Sequence, residues 1–328
     1  MRRIQGSAIK KNILVDINNY IHRVYYSFKD TIPKPGELTA RVVNLLGQSL
    51  RDVKPFDSVN IFLDGKSQKR LSLSGDYKQH RPKLNILGEK FVRPLIDGTE
   101  VESEHGFLKL IFRRLGCDVY HDLSSEADDL IASFCKLRND EINIIISDDK
   151  DLFQLLSNQR TVIYRPGNSD HFVDADKSEL VWSALNRGTH PRVKPTQIRM
   201  FKALCGDSSD NIKGIPRFNK STAVKLSDFE SPSALLASDL SILSEAERIK
   251  VNEHGDLLKL NYDLVGLDSD IDISLHKTNS DVNHKLVKDI FYHDVSSYVS
   301  IYNYEIESQG PIKSNNLEVF LPDWYNEL

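Results

Sequence analysis

Cysteine is scarce in this 328-residue chain and comes in an odd number, as Cys117, Cys135 and Cys205. None belongs to a CxxC pair, which argues against a disulfide framework or a thiolate zinc site and points to a reducing compartment. The ten histidines are scattered, so no histidine-rich metal centre is legible. No apolar run approaches the roughly 20 residues needed to span a bilayer. The basic start Met1-Arg2-Arg3 lacks the apolar stretch of a signal peptide, because Ile13-Leu14-Val15 ends at Asp16. A cytoplasmic protein is the expectation. Repeats and low-complexity tracts are missing, and the formal net charge of -4 does not by itself suggest a nucleic-acid partner.

What is present is a globular composition, 40% hydrophobic and 27% charged. Three compact apolar runs, Asn12–Val15, Val59–Leu63 and Ile142–Ile146, read as strands buried on both faces. Stretches of helical period, such as Leu38–Asp52 and Glu104–Leu115, separate them, which predicts βαβ units and a mainly parallel sheet flanked by helices. From Pro195 the texture turns helical, starting with Thr196–Leu204 and broken by Gly206 and the polar turn Asp207–Asn211. The expected division is an α/β core over 1–189, a helical lobe over 190–275 and a C-terminal extension and tail over 276–328.

All three strands run into aspartate: Asp16, Asp64, and Asp148-Asp149-Lys150-Asp151 after Ser147. Ligands of an open parallel sheet bind beyond the C-terminal strand ends, so these carboxylates aim at one crevice. Glu126, Asp128 and Asp129 open an apolar helix nearby in sequence, and Asp207 and Asp210 follow downstream. Each motif has a plainer reading. Ser125 with Asp128 suits a capping box, a strand-end Asp suits a turn, and Asp207–Asp210 suits a polar loop. Jointly they favour a hard divalent cation, Mg²⁺ or Mn²⁺, which relieves the repulsion between clustered carboxylates. Two such ions support phosphodiester hydrolysis. Lys66–Lys83 carries six basic residues against the single acid Asp76, a run that suits either a solvated surface or a phosphate-binding one.

These motifs together resemble the 5′-nuclease (flap endonuclease, 5′-3′ exonuclease) superfamily, which includes the nuclease domain of bacterial DNA polymerase I and stand-alone phage enzymes. The resemblance covers about residues 12–270 and rests on Glu126-Ala127-Asp128-Asp129, on Asp149-Lys150-Asp151-Leu152 with Gln154-Leu155, and on Gly206-Asp207-Ser208-Ser209-Asp210-Asn211-Ile212 with Gly214-Ile215-Pro216. It implies a PIN-like nuclease core with a helical arch at about 66–104 and a helix-hairpin-helix-like lobe. It also implies two metal sites, with Asp16, Asp64, Glu126, Asp128 and Asp129 at the first and Asp149, Asp151, Asp207 and Asp210 at the second. Asp148 stands outside the pattern and suits a turn. Tyr77-Lys78-Gln79-His80-Arg81-Pro82 matches the start of the family's arch. There Lys78 and Arg81, on one side of a helix, would face the scissile phosphate and Tyr77 would stack on a base. Arg23 matches a basic residue near the active site, and Lys66, Arg70, Lys213, Arg217 and Lys220 complete the expected DNA contacts.

The chain departs from the family in the duplex-gripping element, where Gly214-Ile215-Pro216-Arg217-Phe218-Asn219-Lys220 replaces two glycines. Asn219 is the residue expected to take a left-handed turn there, with Arg217 and Lys220 supplying charge, and a K⁺ ion in that lobe is a further expectation. The implied activity is structure-specific hydrolysis at or near 5′ ends of flaps, nicked or gapped duplexes or RNA–DNA primers, including RNase H action. It would serve DNA replication or repair in a bacterial or phage-infected cell, by a monomer. The alternatives are a PIN-like ribonuclease and a catalytically inactive branched-DNA-binding relative. The apolar-acidic tail Leu317–Tyr325 suits docking to a replication clamp or single-strand-binding protein, and equally a terminal segment packed on the body.

Overall fold

The computed structural model describes residues 9–28, 37–79, 90–94, 100–167, 171–186 and 191–278. Strand β1 (Lys11–Asp16) leads into helix α1 (Ile17–Ser27), then α2 (Glu37–Val53), β2 (Ser58–Leu63) and α3 (Gln68–Leu73). Next come β3 (Lys90–Pro94), β4 (Glu100–Ser103), α4 (Glu104–Arg114), β5 (Asp118–His121), α5 (Ala127–Leu137) and β6 (Ile142–Ile146). The chain continues through β7 (Thr161–Tyr164), β8 (Phe172–Val173), α6 (Ala175–Leu185), α7 (Ile198–Cys205), β9 (Gly206–Asp207) and β10 (Ile212–Lys213). It ends in α8 (Lys220–Leu226), α9 (Pro232–Ala237), α10 (Glu245–Glu253), α11 (Gly255–Val265) and β11 (Lys277–Thr278).

One seven-stranded sheet has the order β11-β5-β2-β1-β6-β7-β8, with β1, β6 and β7 parallel and β8 antiparallel to β7. The strands predicted from apolar runs are β1, β2 and β6, and the predicted helices are α2 and α4. Sequence reading passed over the short β5, β7 and β8. Buried Asn12 and Asn143 stand opposite each other in the β1–β6 register. Asn12 Nδ2 donates to Asn143 Oδ1 at 3.2 Å and to Glu141 Oε2 at 2.7 Å. A one-residue slip would strand these buried polar groups, so the pair fixes how far each strand end projects.

The expected arch differs in its later half. β3 and β4 form an antiparallel pair rather than helix. Phe91, Val92 and Val101 favour strands, and Pro94 cannot continue a helix. Residues 80–89 and 95–99 lie outside the described set.

By compactness the chain falls into two units, and both are discontinuous in sequence. One comprises Ile17–Ile61, Lys83–Val119 and Lys277–Leu328. In it, α1 and α4 pack on the amphipathic α2. Tyr20 donates to Ser49 at 2.7 Å, and buried Glu104 accepts from the amide and hydroxyl of Thr39. The other unit comprises Met1–Asp16, Phe62–Pro82 and Tyr120–His276. Its core joins Leu14, Ile145, Phe153 and Trp182 with Phe201, Leu204 and Leu258 of the helical segment. Residues on both sides of the expected boundary between 189 and 190 contribute to this core. Burying each such aromatic or leucine contributes about 1.5–3 kcal/mol.

Burial also decides the cysteines. It pushes the Cys117 thiol well up, Cys135 up to about 12 and Cys205 up to about 11. The thiolate is the reactive form, and at pH 8 it is at most about a thousandth of such thiols. Ellman's reagent at pH 8 should release almost no thiolate from the native protein over minutes and three equivalents in guanidinium. A fast native equivalent would contradict this packing.

Candidate metal centre

The first group of acids is set by the strand ends. Asp16 closes β1, and its buried carboxylate accepts from the Ser147 hydroxyl at 2.8 Å, just past β6. The Ser147 oxygen also accepts from the Asp149 amide at 3.0 Å, so one buried hydroxyl ties the two strand ends together. Asp64 follows β2, is exposed, and accepts from the first amide of α5, that of Ala127, at 2.8 Å. Gly65 is required beside it, since a Cβ there would lie 2.0 Å from the Asp122 carbonyl oxygen.

Asp128, half-buried on the first turn of α5, has its carboxyl pushed well above the usual range, by burial first and then by Asp149, Asp16 and Asp64. Burial and Asp151 push Asp149 up to about 6, even though its carboxylate accepts from the Asp151 amide. With protein groups alone, both carboxyls hold a proton to higher pH than an ordinary aspartate does. Asp149, implied to belong with Asp151, thus also acts electrostatically on Asp128.

The second group sits where α7 ends. Gly206 takes φ 79°, and β9 and β10 form a tight antiparallel turn that presents Asp207 and Asp210. Carboxylate oxygens of Asp151, Asp207 and Asp210 lie within 4.8 Å of one another, a spacing compatible with a shared cation. Lys202, on the buried face of α7, donates to Asp151 and, at 2.5 Å, to Asp207. Burial acts to lower its pKa, but the two carboxylates outweigh that and raise it. Burial likewise acts to raise Asp207, yet Lys202 and the Ser209 hydrogen bonds bring it down to about 2. Sequence reading missed Lys202. Its one signal is a lysine among the apolar positions Met200, Phe201, Ala203 and Leu204.

Tyr77 and Lys78 bridge the groups. The Tyr77 hydroxyl lies 3.1 Å from Glu126 Oε2 and 3.2 Å from Asp210 Oδ2. Lys78 Nζ donates to Glu126 at 2.8 Å and stands 3.8 Å from Asp210. The expected helix carrying Lys78 and Arg81 on one side does not begin here. Residues 75–79 form a turn and Lys78 has φ 53°, held by its amide donating to the Asp210 carbonyl at 3.2 Å. Arg81 lies outside the described residues.

Burial gives three of the expected site residues partners inside the protein. Tyr77, expected to stack on a base, is buried with its hydroxyl in the acidic cluster. Arg70, expected to contact DNA, is buried and makes a bidentate pair with Asp129 at 2.6 and 2.7 Å. Asp129, expected among the cation ligands, is committed to that pair. The α5 capping box uses Glu126 and Asp129 rather than Ser125 and Asp128, because the Ser125 hydroxyl donates to Asp122 at 2.5 Å.

In the lobe, Arg217 and not Asn219 takes the left-handed conformation, with φ 52°. Asn219 instead caps α8, accepting from the Ser221 and Thr222 amides. Lys66, Lys213 and Arg217 are exposed and Lys220 is half-buried. Arg23 is exposed on α1, in the other unit. Asp148 faces Arg165 at 3.4 Å, in keeping with a structural role. The tail Leu317–Tyr325 lies outside the described residues.

A family model described as the 5′-3′ exonuclease N-terminal resolvase-like domain matches residues 11–182, and the 5′-3′ exonuclease C-terminal SAM fold matches 193–286. DNA polymerase I of Bacillus subtilis is 30% identical over 276 residues, which are 81% of this chain but only 29% of that protein. The chain thus spans under a third of that relative's length. The 5′-3′ exonuclease of Mycoplasmopsis pulmonis is 28% identical over 285 residues, 83% of this chain and 85% of the relative. In fold, the chain is similar to the bacteriophage T5 D15 flap endonuclease, solved in a pseudo-enzyme-product complex with DNA and metal ions. That likeness has a TM-score of 0.56 at 17% identity and covers 90% of this chain and 99% of the other.

The acidic turn depends on close backbone packing. A Cβ at Gly214 would lie 2.1 Å from the Cys205 carbonyl carbon and 2.4 Å from the Gly206 nitrogen, whereas one at Gly75 meets nothing within 4 Å. Gly214→Ala should cost about 2–4 kcal/mol and lower Tm by about 4–10 °C, with Gly75→Ala nearly neutral. Equal melting of the two variants would refute the close approach.

Proposed function

The chain belongs to the 5′-3′ exonuclease family, and from that premise we propose that it hydrolyses phosphodiester bonds at or near 5′ ends of branched or nicked DNA, using divalent cations. The observation that carries this reading is the gathering of strand-end carboxylates in one compact unit, with Asp128 and Asp149 pushed toward the protonated state. Among these acids, a hard cation with oxygen ligands suits the donor set better than a proton does.

Asp16, Asp64, Glu126, Asp128 and Asp149 are the residues to hold one Mg²⁺, with Mn²⁺ as a substitute. Asp151, Asp207 and Asp210 are those for a second. When bound, such ions activate the attacking water and stabilise charge on the phosphate and the leaving oxygen.

The chain's own residues position and balance charge. Lys78 places an ammonium between Glu126 and Asp210, where a scissile phosphate would meet it. Its charge favours the transition state of phosphoryl transfer, as the positive side chains of other such sites do. Lys202 limits repulsion between Asp151 and Asp207 and holds Asp207 ionised near neutral pH. The exposed Lys66, Lys213 and Arg217, with Lys220, suit sequence-independent contact with the phosphate backbone. Arg23 and Arg81 retain, on family resemblance alone, the role of phosphate-positioning residues.

The test is cleavage of a 5′-labelled flap and a nicked duplex with Mg²⁺. The double variant Asp149→Asn/Asp151→Asn should lose at least about a thousandfold in rate while still binding the flap. Lys78→Ala should lose about a hundredfold. Wild-type turnover in the double variant would overturn the proposal.

A further inference from the structure

We infer that Asp129, despite its place in the acidic motif, is a positioning residue locked to Arg70 and lies outside the cation-binding set. The inference rests on the cation-dependent reading above and narrows it. An ionised carboxylate has about four lone-pair positions, and in Asp129 all four are used. Oδ2 accepts from Arg70 Nη1 at 2.6 Å and the Glu126 amide at 3.4 Å. Oδ1 accepts from Arg70 Nη2 at 2.7 Å and the Asp268 amide at 2.9 Å. With Asp129 only 2% exposed, no open side remains for an ion and its waters.

Arg70 is equally committed. At 4% exposure it spends its donors on Asp129, on Glu126 Oε2 at 3.1 Å, and on the carbonyls of Leu264 and Gly266 at 2.9 and 2.8 Å. Burial acts to lower its pKa, but Asp129 and Glu126 outweigh that and raise it.

Two parts of the chain about 190 residues apart are thereby joined. The segment after α11 runs along α5, with the Ser133 hydroxyl donating to the Asp268 carbonyl at 3.2 Å and Lys69 Nζ donating to the Asp268 carboxylate at 2.9 Å. Because α11 packs on α7, which leads to Asp207 and Asp210, the Arg70–Asp129 pair helps fix the spacing between the two acidic groups. It also orients Glu126, whose amide Asp129 caps and whose carboxylate Arg70 holds. Its bidentate geometry cannot be reproduced by lysine.

The experiment titrates the full-length, metal-stripped protein with Mn²⁺ by calorimetry and melts the same samples. Asp129→Asn, which sets an amide donor against Arg70, should lower Tm by about 5–10 °C. Its Mn²⁺ dissociation constant, measured well below Tm, should rise by about threefold as Glu126 loosens, clearly less than for loss of a ligand. Asp128→Asn should do the reverse, weakening Mn²⁺ at least tenfold with little change in Tm. If Asp129→Asn fails to fold, Arg70→Met/Asp129→Leu removes both charges together and is expected to fold, as apolar replacements of buried pairs often do. It should then weaken Mn²⁺ less than Asp128→Asn does. Mn²⁺ weakening equal to that of Asp128→Asn, in either folded variant, overturns the inference whatever the melt shows. Wild-type Mn²⁺ binding by Asp128→Asn would instead overturn the cation-dependent function.

Discussion

Repulsion between like charges is the constraint on which the rest of this molecule depends. Two carboxylates 4 Å apart repel by about 4 kcal/mol at an effective dielectric constant of 20, and this chain brings more than two acids together in one compact unit. Three cations offset much of that charge. Arg70 holds Asp129 and Glu126, Lys202 holds Asp151 and Asp207, and Lys78 stands between Glu126 and Asp210. The offset is incomplete at Asp128 and Asp149, where burial and neighbouring acids push the carboxyls toward holding a proton. A site that stores anionic charge in this way is prepared for cations or for a strand of phosphates accompanied by them.

The sheet makes the gathering possible. Parallel strands end on the same side, so the aspartates placed at the end of β1 and after β6 are carried to a common edge. Side chains inside the sheet then set the alignment. The Asn12–Asn143 pair fixes the β1–β6 register, and Ser147 joins Asp16 to the turn that follows β6. The second acidic group is delivered differently, by a helix end whose continuation demands Gly206 and Gly214.

This difference in delivery explains what could be read from the sequence. Strand-end aspartates and the Asp207–Asp210 turn are local signals, an apolar run or a glycine followed by acids, and they lie at or just after the ends of β1, β2, β6 and α7. Residues whose surroundings are built from distant segments were not legible. Arg70 lies in a basic run that resembles a solvated face, yet its partners are 56 to 196 positions away. Lys202 meets Asp151 across 51 positions. The capping box was displaced by one residue because Ser125, a better cap by type, is already engaged by Asp122. In the lobe, Asn219 has the side chain that tolerates a left-handed turn, but it also makes the better cap for α8, and the strained conformation passes to Arg217. In both places one side chain suited two local roles, and only the packed structure decides between them.

The three cations are also chemically unequal. A guanidinium does not lose its proton in a protein, and its planar fork gives up several hydrogen bonds at once if it moves. Placed on Asp129 and two carbonyls in the core, it serves as fixed scaffolding. An ammonium is compact, hydrates strongly and turns on a flexible stem, and Lys78 and Lys202 place ammonium groups among the clustered acids. Lys78 is half-buried, donates to Glu126 at 2.8 Å and has a backbone φ of 53°. Fixed charge is thus carried by the buried Arg70 and Lys202, and the more accessible charge by Lys78. The exchange of arginine for lysine, or the reverse, would conserve net charge while disrupting the arrangement it serves.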